Sequence, residues 1–585
     1  MNKKSITSVF SSFVALSLAI IPALAFAQSD ATFNNLTVID SVTAPGLITN
    51  ADLASVAPST FKCNPATSSA SPTDCTANAG NPLDFGAIAN SSAAAAANTA
   101  AFQSAMAANP VFHCPDGQAF YIGSVTVPTT TTRIYGNCTL IASGTIPSGN
   151  GIFEVVNNTA GLLIDGPVIT SAIASYPTNV AVRVSSSSNF TVRNVNVTAA
   201  GNGIQIISGS NFNLLGNSIG SFGTIGIYIT GSSSQGNITN NYVNGQLLSG
   251  SSHCIALAQG SSYTVTGNQV YNCYNFGISV ASVPSTQGVL SNVTISGNLI
   301  NGTRVECVNF DNVAVGSVTG NTCIFNSNSQ DFGMSFFGTP GTSPQEVVQD
   351  INVTGNTIYN PCKSGIALAD VVFRLNVVGN YIYTPNQCNG GTADYQSGIL
   401  LYGGGNTKNN VANNYIVDTA GHMAWQIGEG TYSDGTGNPD GNFLEGAAGT
   451  VGTSGQIFSF NSTSSQVVNT FNSWIAYTPV LSCGSGSPGS QSATGRYKQM
   501  GKTVVVQVNA RLITAGTCSG NIKVSLPFAA ATSGELNGRE AGTTGATLSG
   551  SIASSGNTAQ ILTYSNAAPI ASGDNYVLNG QYERQ

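Results

Sequence analysis

The sequence predicts an all-β protein: a right-handed parallel β-helix with an N-terminal cap and a C-terminal antiparallel β-sandwich. Three observations carry this. A Gly-Ile-x-aliphatic phrase recurs through the middle of the chain, a Val-Thr-Gly-Asn-x-Val/Ile phrase alternates with it, and only 7% of residues are charged against 41% hydrophobic. Disorder needs the opposite balance of charge and hydrophobicity. A chain of 585 residues is also too long for one core, so several domains are expected.

Residues 1–27 read as a signal peptide. Lys3 and Lys4 open it, an apolar run follows over 9–26, and Ala25-Phe26-Ala27 fits a small-x-small cleavage site. No later stretch is long and apolar enough to span a bilayer. The expectation is an exported protein with no membrane segment after leader removal. The formal charge of −7 becomes −9 without the two leader lysines, and no basic stripe exists, so nucleic acid is excluded as a partner. Residues 28–79 then form a connector.

Twelve cysteines fit an oxidising compartment and fall into sequential pairs: Cys63/Cys75, Cys114/Cys138, Cys254/Cys273, Cys307/Cys323, Cys362/Cys388 and Cys483/Cys518. None has the C-x-x-C spacing of a zinc or redox site, and no metal or cofactor is expected.

The β-helix is assigned to 150–445, with its cap and first coils over 80–149. Its first phrase is read at Gly203-Ile204, Gly226-Ile227, Gly277-Ile278, Gly333-Met334, Gly365-Ile366 and Gly398-Ile399, with Cys254 and Cys307 taking the glycine slot in two further copies. The second surrounds Asn241, Asn268, Asn298, Asn321, Asn356, Asn380 and Asn414. Copies lie roughly 23–35 residues apart, a solenoid period. Alternate residues are aliphatic, as in a strand with one buried side, and Gly and Asn sit where the chain turns. Each period is read as a strand, a turn, a second strand and a longer loop, with room for about eleven coils. The recurrent asparagines are expected to form an internal ladder of amides. Stacked coils bring equivalent residues close enough for disulfides between adjacent coils or across one coil.

Above the helix, Asp84-Phe85-Gly86-Ala87 leads into an Ala-rich helical segment ending at Met106, and then into Cys114-Pro115-Asp116-Gly117, a turn feeding a strand. This resembles the N-terminal cap of the pectate-lyase-like superfamily, which includes polygalacturonases, rhamnogalacturonases, glycan epimerases and phage tailspikes. The acidic residues usual after the opening motif are replaced here by Asn90, Ser91, Ser92 and alanines. After a linker over 446–473, residues 474–585 carry Tyr477-Thr478-Pro479, Gly495-Arg496-Tyr497 and Leu526-Pro527-Phe528, similar to a β-sandwich module of phage tail proteins. That resemblance implies a glycan-binding or trimerising module, and hence a possible homotrimer.

Enzymes on β-helices work with paired carboxylates, or with bound calcium and a basic residue. No Asp or Glu lies between Asp165 and Glu306, so carboxylate chemistry is confined to 306–445 or the cap. Within that window Glu306, Asp311, Asp331 and Asp370 are the candidate catalytic residues. Arg304, Asn309, Lys363 and Tyr402 are the candidate substrate-binding residues. In-register stacking makes Asp331 and Lys363 neighbours with Arg304 one coil away, and strand alternation turns Asn309 and Asp311 outward. Glu306 and Asp370 fall at turns, where alternation assigns no direction. Glu306 and Asp311 are read as acid and base or nucleophile, with Arg304 or Lys363 binding an anionic sugar. His253 occupies the slot of Glu306 two coils earlier and is read as structural. The motifs of polygalacturonases and pectate lyases are absent, so no family catalytic residue transfers.

The resemblance then implies a secreted, tailspike-like protein that binds an extracellular polysaccharide and cleaves it by hydrolysis or β-elimination. The alternative is a non-catalytic adhesin or fibre, with the rod as spacer and the C-terminal module as the glycan contact.

Overall fold

The computed structural model describes residues 60–63, 73–76 and, from 79 onward, all but 144–145, 148, 172–178, 248–252, 283–287, 341–345, 389–395, 431–440, 450–457, 460–465, 469–473 and 501. The chain forms two units, Met1–Asn78 and Ala79–Gln585. In the first, Thr60–Cys63 pairs antiparallel with Thr73–Thr76. The leader and the side chains of Cys63 and Cys75 lie outside the described residues.

The second unit holds a parallel β-helix of three sheets. Sheet I runs through thirteen strands from Val125–Val127 to Phe458–Ser459, and sheet III through thirteen from Ala119–Ile122 to Ala448–Gly449. Sheet II, between them in each coil, starts at Ala79–Gly80 and reaches Gln466–Val468. The sequence reading had two strands per period. The third arises because the Val-Thr-Gly-Asn-x-Val phrase straddles a turn: Leu290–Ser296 belongs to sheet II and Leu299–Asn301 to sheet III.

The Gly-Ile phrases stack in register in sheet I, where Ile204, Ile227, Ile255, Ile278, Val308, Met334, Ile366, Ile399 and Ile427 form one inward column. All are fully buried. Burying a side chain of this size contributes about 1.5–3 kcal/mol, and each coil obtains it only from its neighbours. The preceding glycine makes room for sheet III. A Cβ at Gly277 would fall 2.5 Å from Ile300 Cγ2, and one at Gly398 2.7 Å from Ile416 Cγ2. Where cysteine takes this slot, a disulfide replaces the contact. Cys323 occupies the inward position of sheet III between Ile300 and Ile358, and bonds Cys307 across the coil. Cys254–Cys273 likewise closes one coil, whereas Cys114–Cys138 and Cys362–Cys388 join consecutive coils.

The asparagines form the expected ladder. Each side-chain amide in the run Asn217, Asn241, Asn268, Asn298, Asn321, Asn356, Asn380 and Asn414 donates to the next at 2.8–3.0 Å. Each also donates to a carbonyl at the end of the previous sheet II strand, such as Asn298 Nδ2 to Val265 O at 2.9 Å. Buried amides are tolerated because every donor and acceptor is used.

The helix Ala95–Ala108 covers the first coils. Its Phe102 packs against Phe112 and Phe120, with ring centroids 5.3 and 5.2 Å apart. At the other end the expected sandwich takes the form of one continuous antiparallel sheet that curls over its own core. Its strand order is Leu481–Ser485, Ser519–Ser525, Thr558–Thr563, Thr547–Ile552, Gly534–Glu540, Asn575–Glu583, Thr503–Thr514, Ser490–Met500 and Ile475–Tyr477. The Gln491 amide bridges back to the first strand, accepting from Leu481 N at 2.6 Å and donating to Leu481 O at 3.1 Å. Cys483–Cys518 staples the strand ends, with Cα atoms 5.4 Å apart. No helix among the described residues is long and apolar enough to cross a membrane.

Candidate functional site

The outward face of sheet I is polar in the middle coils and apolar in the later ones. In Val308–Asp311, Val308 and Phe310 point into the core while Asn309 and Asp311 point out. The neighbouring strands place Ser279 and Ser335 beside Asn309. Ser279 Oγ donates to Asn309 Oδ1 at 3.4 Å, and Asn309 Nδ2 donates to Ser335 Oγ at 3.0 Å. Further along, Phe332, Ala367, Ala369, Leu400 and Tyr402 form a buried apolar cluster on this outer face, with Phe337 packed against it.

Glu306, Asn309, Asp331, Lys363 and Tyr402, all candidates from the sequence, line one depression of about 300 Å³ with Phe332, Ser335 and Phe337. Lys363 Nζ pairs with Asp331 Oδ1 at 2.8 Å and lies 4.9 Å from the centre of the Phe332 ring. The Phe332 and Tyr402 rings are 6.5 Å apart. Glu306 sits at the turn before the strand and faces this pair. Burial pushes its carboxyl up to about 8, and the charge of Asp331 acts in the same direction. Lys363 and a hydrogen bond to Ser335 pull against them. Glu306 Oε2 is buried with no hydrogen-bond partner. A carboxyl with such surroundings holds its proton at neutral pH.

The other three candidates lie elsewhere. Asp311 ends the Val308–Asp311 strand and is not among the residues that line the depression holding Glu306. The carboxylate that Glu306 meets is Asp331, one coil on. Burial and then the charge of Glu346 push Asp311 up to about 7. Asp370 ends its strand in a left-handed conformation, φ 58°, buried where Gly403 leaves room for it. Arg304 stacks on Tyr274, its Cζ 4.4 Å from the ring centre, and lines an adjoining depression. Ser335, Phe332 and Phe337 escaped the sequence reading. The two phenylalanines bracketing the Gly333-Met334 phrase, one at an outward position, were the available signal.

His253 stacks on Phe276 at 5.0 Å, and burial pushes it down to about 4. Phe276 stands between it and the Glu306 position, so the ring packs and takes no part in the depression. Among the described residues no group of three or more His, Cys, Asp or Glu could hold a metal ion.

With this geometry in hand, the right-handed β-helix region family matches residues 180–342. No curated protein matches the chain by sequence. Two solved structures share its fold over most of its length. The Dettilon tailspike protein is 16% identical, with 86% of this chain and 94% of that one covered and a TM-score of 0.52. A tailspike protein variant of E. coli bacteriophage HK620, solved with a pentasaccharide, is 12% identical, with 92% and 98% covered and a TM-score of 0.53. The chain carries a right-handed parallel β-helix, and it shares that fold with these two proteins.

Proposed function

We propose that this protein binds an extracellular polysaccharide across the outward face of sheet I and hydrolyses it in the depression around Glu306. The observation that carries the reading is the juxtaposition of a buried carboxyl that keeps its proton to about pH 8 with a second carboxylate ion-paired to lysine. Glycoside hydrolysis requires this asymmetry between two carboxyl groups. The Glu306 carboxyl donates its proton to the leaving glycosidic oxygen. Asp331 on the adjacent coil acts on the anomeric carbon, directly or through a water it deprotonates. The Phe332 and Tyr402 rings offer an apolar wall for a sugar face, and Asn309 and Ser335 offer hydrogen bonds to its hydroxyls. The pentasaccharide carried by the HK620 tailspike supports a saccharide as ligand. The five disulfides among the described residues support export. Assembly into a homotrimer through the C-terminal module belongs to the same reading, and a single-chain mass in solution would contradict it.

Product analysis tests the chemistry. Hydrolysis yields new reducing ends without the ultraviolet absorbance of an unsaturated sugar. Unsaturated products would replace this mechanism with β-elimination.

A further inference from the structure

We infer that Arg304 forms an anion subsite next to Glu306 and that the polysaccharide therefore carries carboxylates; this rests on the reading of the Glu306 depression as a saccharide site. Arg304 lines a second depression, of about 390 Å³, with Tyr274, Ser327, Asn328, Ser329 and Gln330. It adjoins the first: Gln330 N donates to Arg304 O at 2.7 Å, and Gln330 is followed directly by Asp331. Arg304 is two residues before Glu306, on the bend that leads into the Val308–Asp311 strand.

The charge environment of Arg304 differs from that of four other cations of the β-helix. Arg183, Arg193, Arg374 and Lys363 each rest on a carboxylate of the adjacent coil. Arg304 has no such partner among the described residues, and no Asp or Glu lines its depression. Its guanidinium instead lies over the Tyr274 ring, an arrangement that holds the fork in place while leaving N–H donors for a planar carboxylate. Ser329 adds a second signal. It lines the same depression and is 5% exposed, and its Oγ is a buried oxygen with no hydrogen-bond partner. A guanidinium without a counter-ion and an unused hydroxyl on one wall together fit an acidic sugar. Lys363, the other cation expected to bind anionic sugar, is engaged by Asp331.

The test uses the full chain carrying Glu306→Gln, so that binding is read without turnover. Alginate, polygalacturonate and hyaluronan are each compared with their carboxyl-reduced, neutral counterparts. At least one charged form binds more tightly than its reduced form. Adding Arg304→Gln raises its Kd tenfold or more and flattens the salt dependence, while Arg304→Lys recovers part of the loss. Affinity for the reduced form is unmoved, and an unchanged thermal unfolding curve shows that the variants are folded. Equal Kd with and without Arg304→Gln, equal affinity for charged and reduced forms, or no binding to any charged form overturns the inference. Charged glycan bound through Arg304 with no reducing ends released by the parent would keep the subsite and overturn the hydrolase instead.

Discussion

Lys363 and Asp331 form a 2.8 Å ion pair between consecutive coils, directly beside the buried carboxyl of Glu306. Both side chains are about one third exposed, at 34% and 29%, so solvent screening leaves the pair little weight in stability. Its consequence is local. It fixes a negative and a positive charge that both act on Glu306, on a β-helix whose preceding coils contain no acid from residue 166 to 305.

The pH profile of cleavage follows from Glu306. As a general acid it must be protonated, and its carboxyl titrates at about 8. Turnover is therefore expected to decline as pH rises through about 8, where an ordinary carboxyl would lose its proton more than three units lower. Measuring kcat from pH 5 to 10 with saturating polysaccharide checks this. A decline already complete by pH 6 contradicts it.

Stability carries the same signature with a defined sign. Glu306 holds its proton more tightly folded than unfolded, about 8 against 4.5. Its contribution is full below about pH 4.5 and is lost as pH rises towards 8. Glu306→Gln should therefore be more stable than the parent at pH 9, by up to about 5 kcal/mol, and no more stable at pH 4. Denaturant unfolding at the two values decides it.

Much of this was legible in the sequence, for physical reasons that also mark where reading stopped. The inward Ile column and the asparagine ladder were readable because each coil repeats the same steric demand. Asn217 escaped because Leu214-Leu215-Gly216 precedes it where later coils have Val-Thr-Gly or a close variant. Sheet III was invisible because its strands are mostly three residues long and share a phrase with sheet II. Asp331 and Lys363 could be set side by side from register alone. Glu306 could not be aimed, because alternation fails at a turn. Its pairing with Asp311 assumed that neighbours in sequence act together, whereas a solenoid assembles its groups across coils.

The ladder predicts a large cost from one buried amide. Asn298 Nδ2 donates to Val265 O and Asn321 Oδ1, and its Oδ1 accepts from Asn268 N and Nδ2. Asn298→Ala leaves those groups buried and unpaired, a loss of about 3 kcal/mol or more. Asn237→Ala on the exposed side of sheet II, where one amide bond to Asn213 is lost, should stay within about 0.5 kcal/mol. Equal midpoints in urea would contradict the structural role.

The Cys307–Cys323 bond spans 16 residues and anchors the residue next to Glu306. Replacing both cysteines by alanine removes about 3 kcal/mol of loop closure. Activity should then be lost at a temperature below that of global unfolding, as the Glu306 turn loosens first. Coincident loss of activity and of circular dichroism would show that the bond supports only the whole helix.

The central claim is that Glu306 supplies the proton that breaks a glycosidic bond. The most direct measurement compares the parent with Glu306→Gln on a panel of acidic and neutral polysaccharides, scoring new reducing ends alongside binding. The account predicts cleavage of at least one member by the parent, a rate about 10²–10⁴-fold lower for the variant, and retained binding. Equal cleavage by both proteins, or binding by the parent with no cleavage of any member, would contradict it.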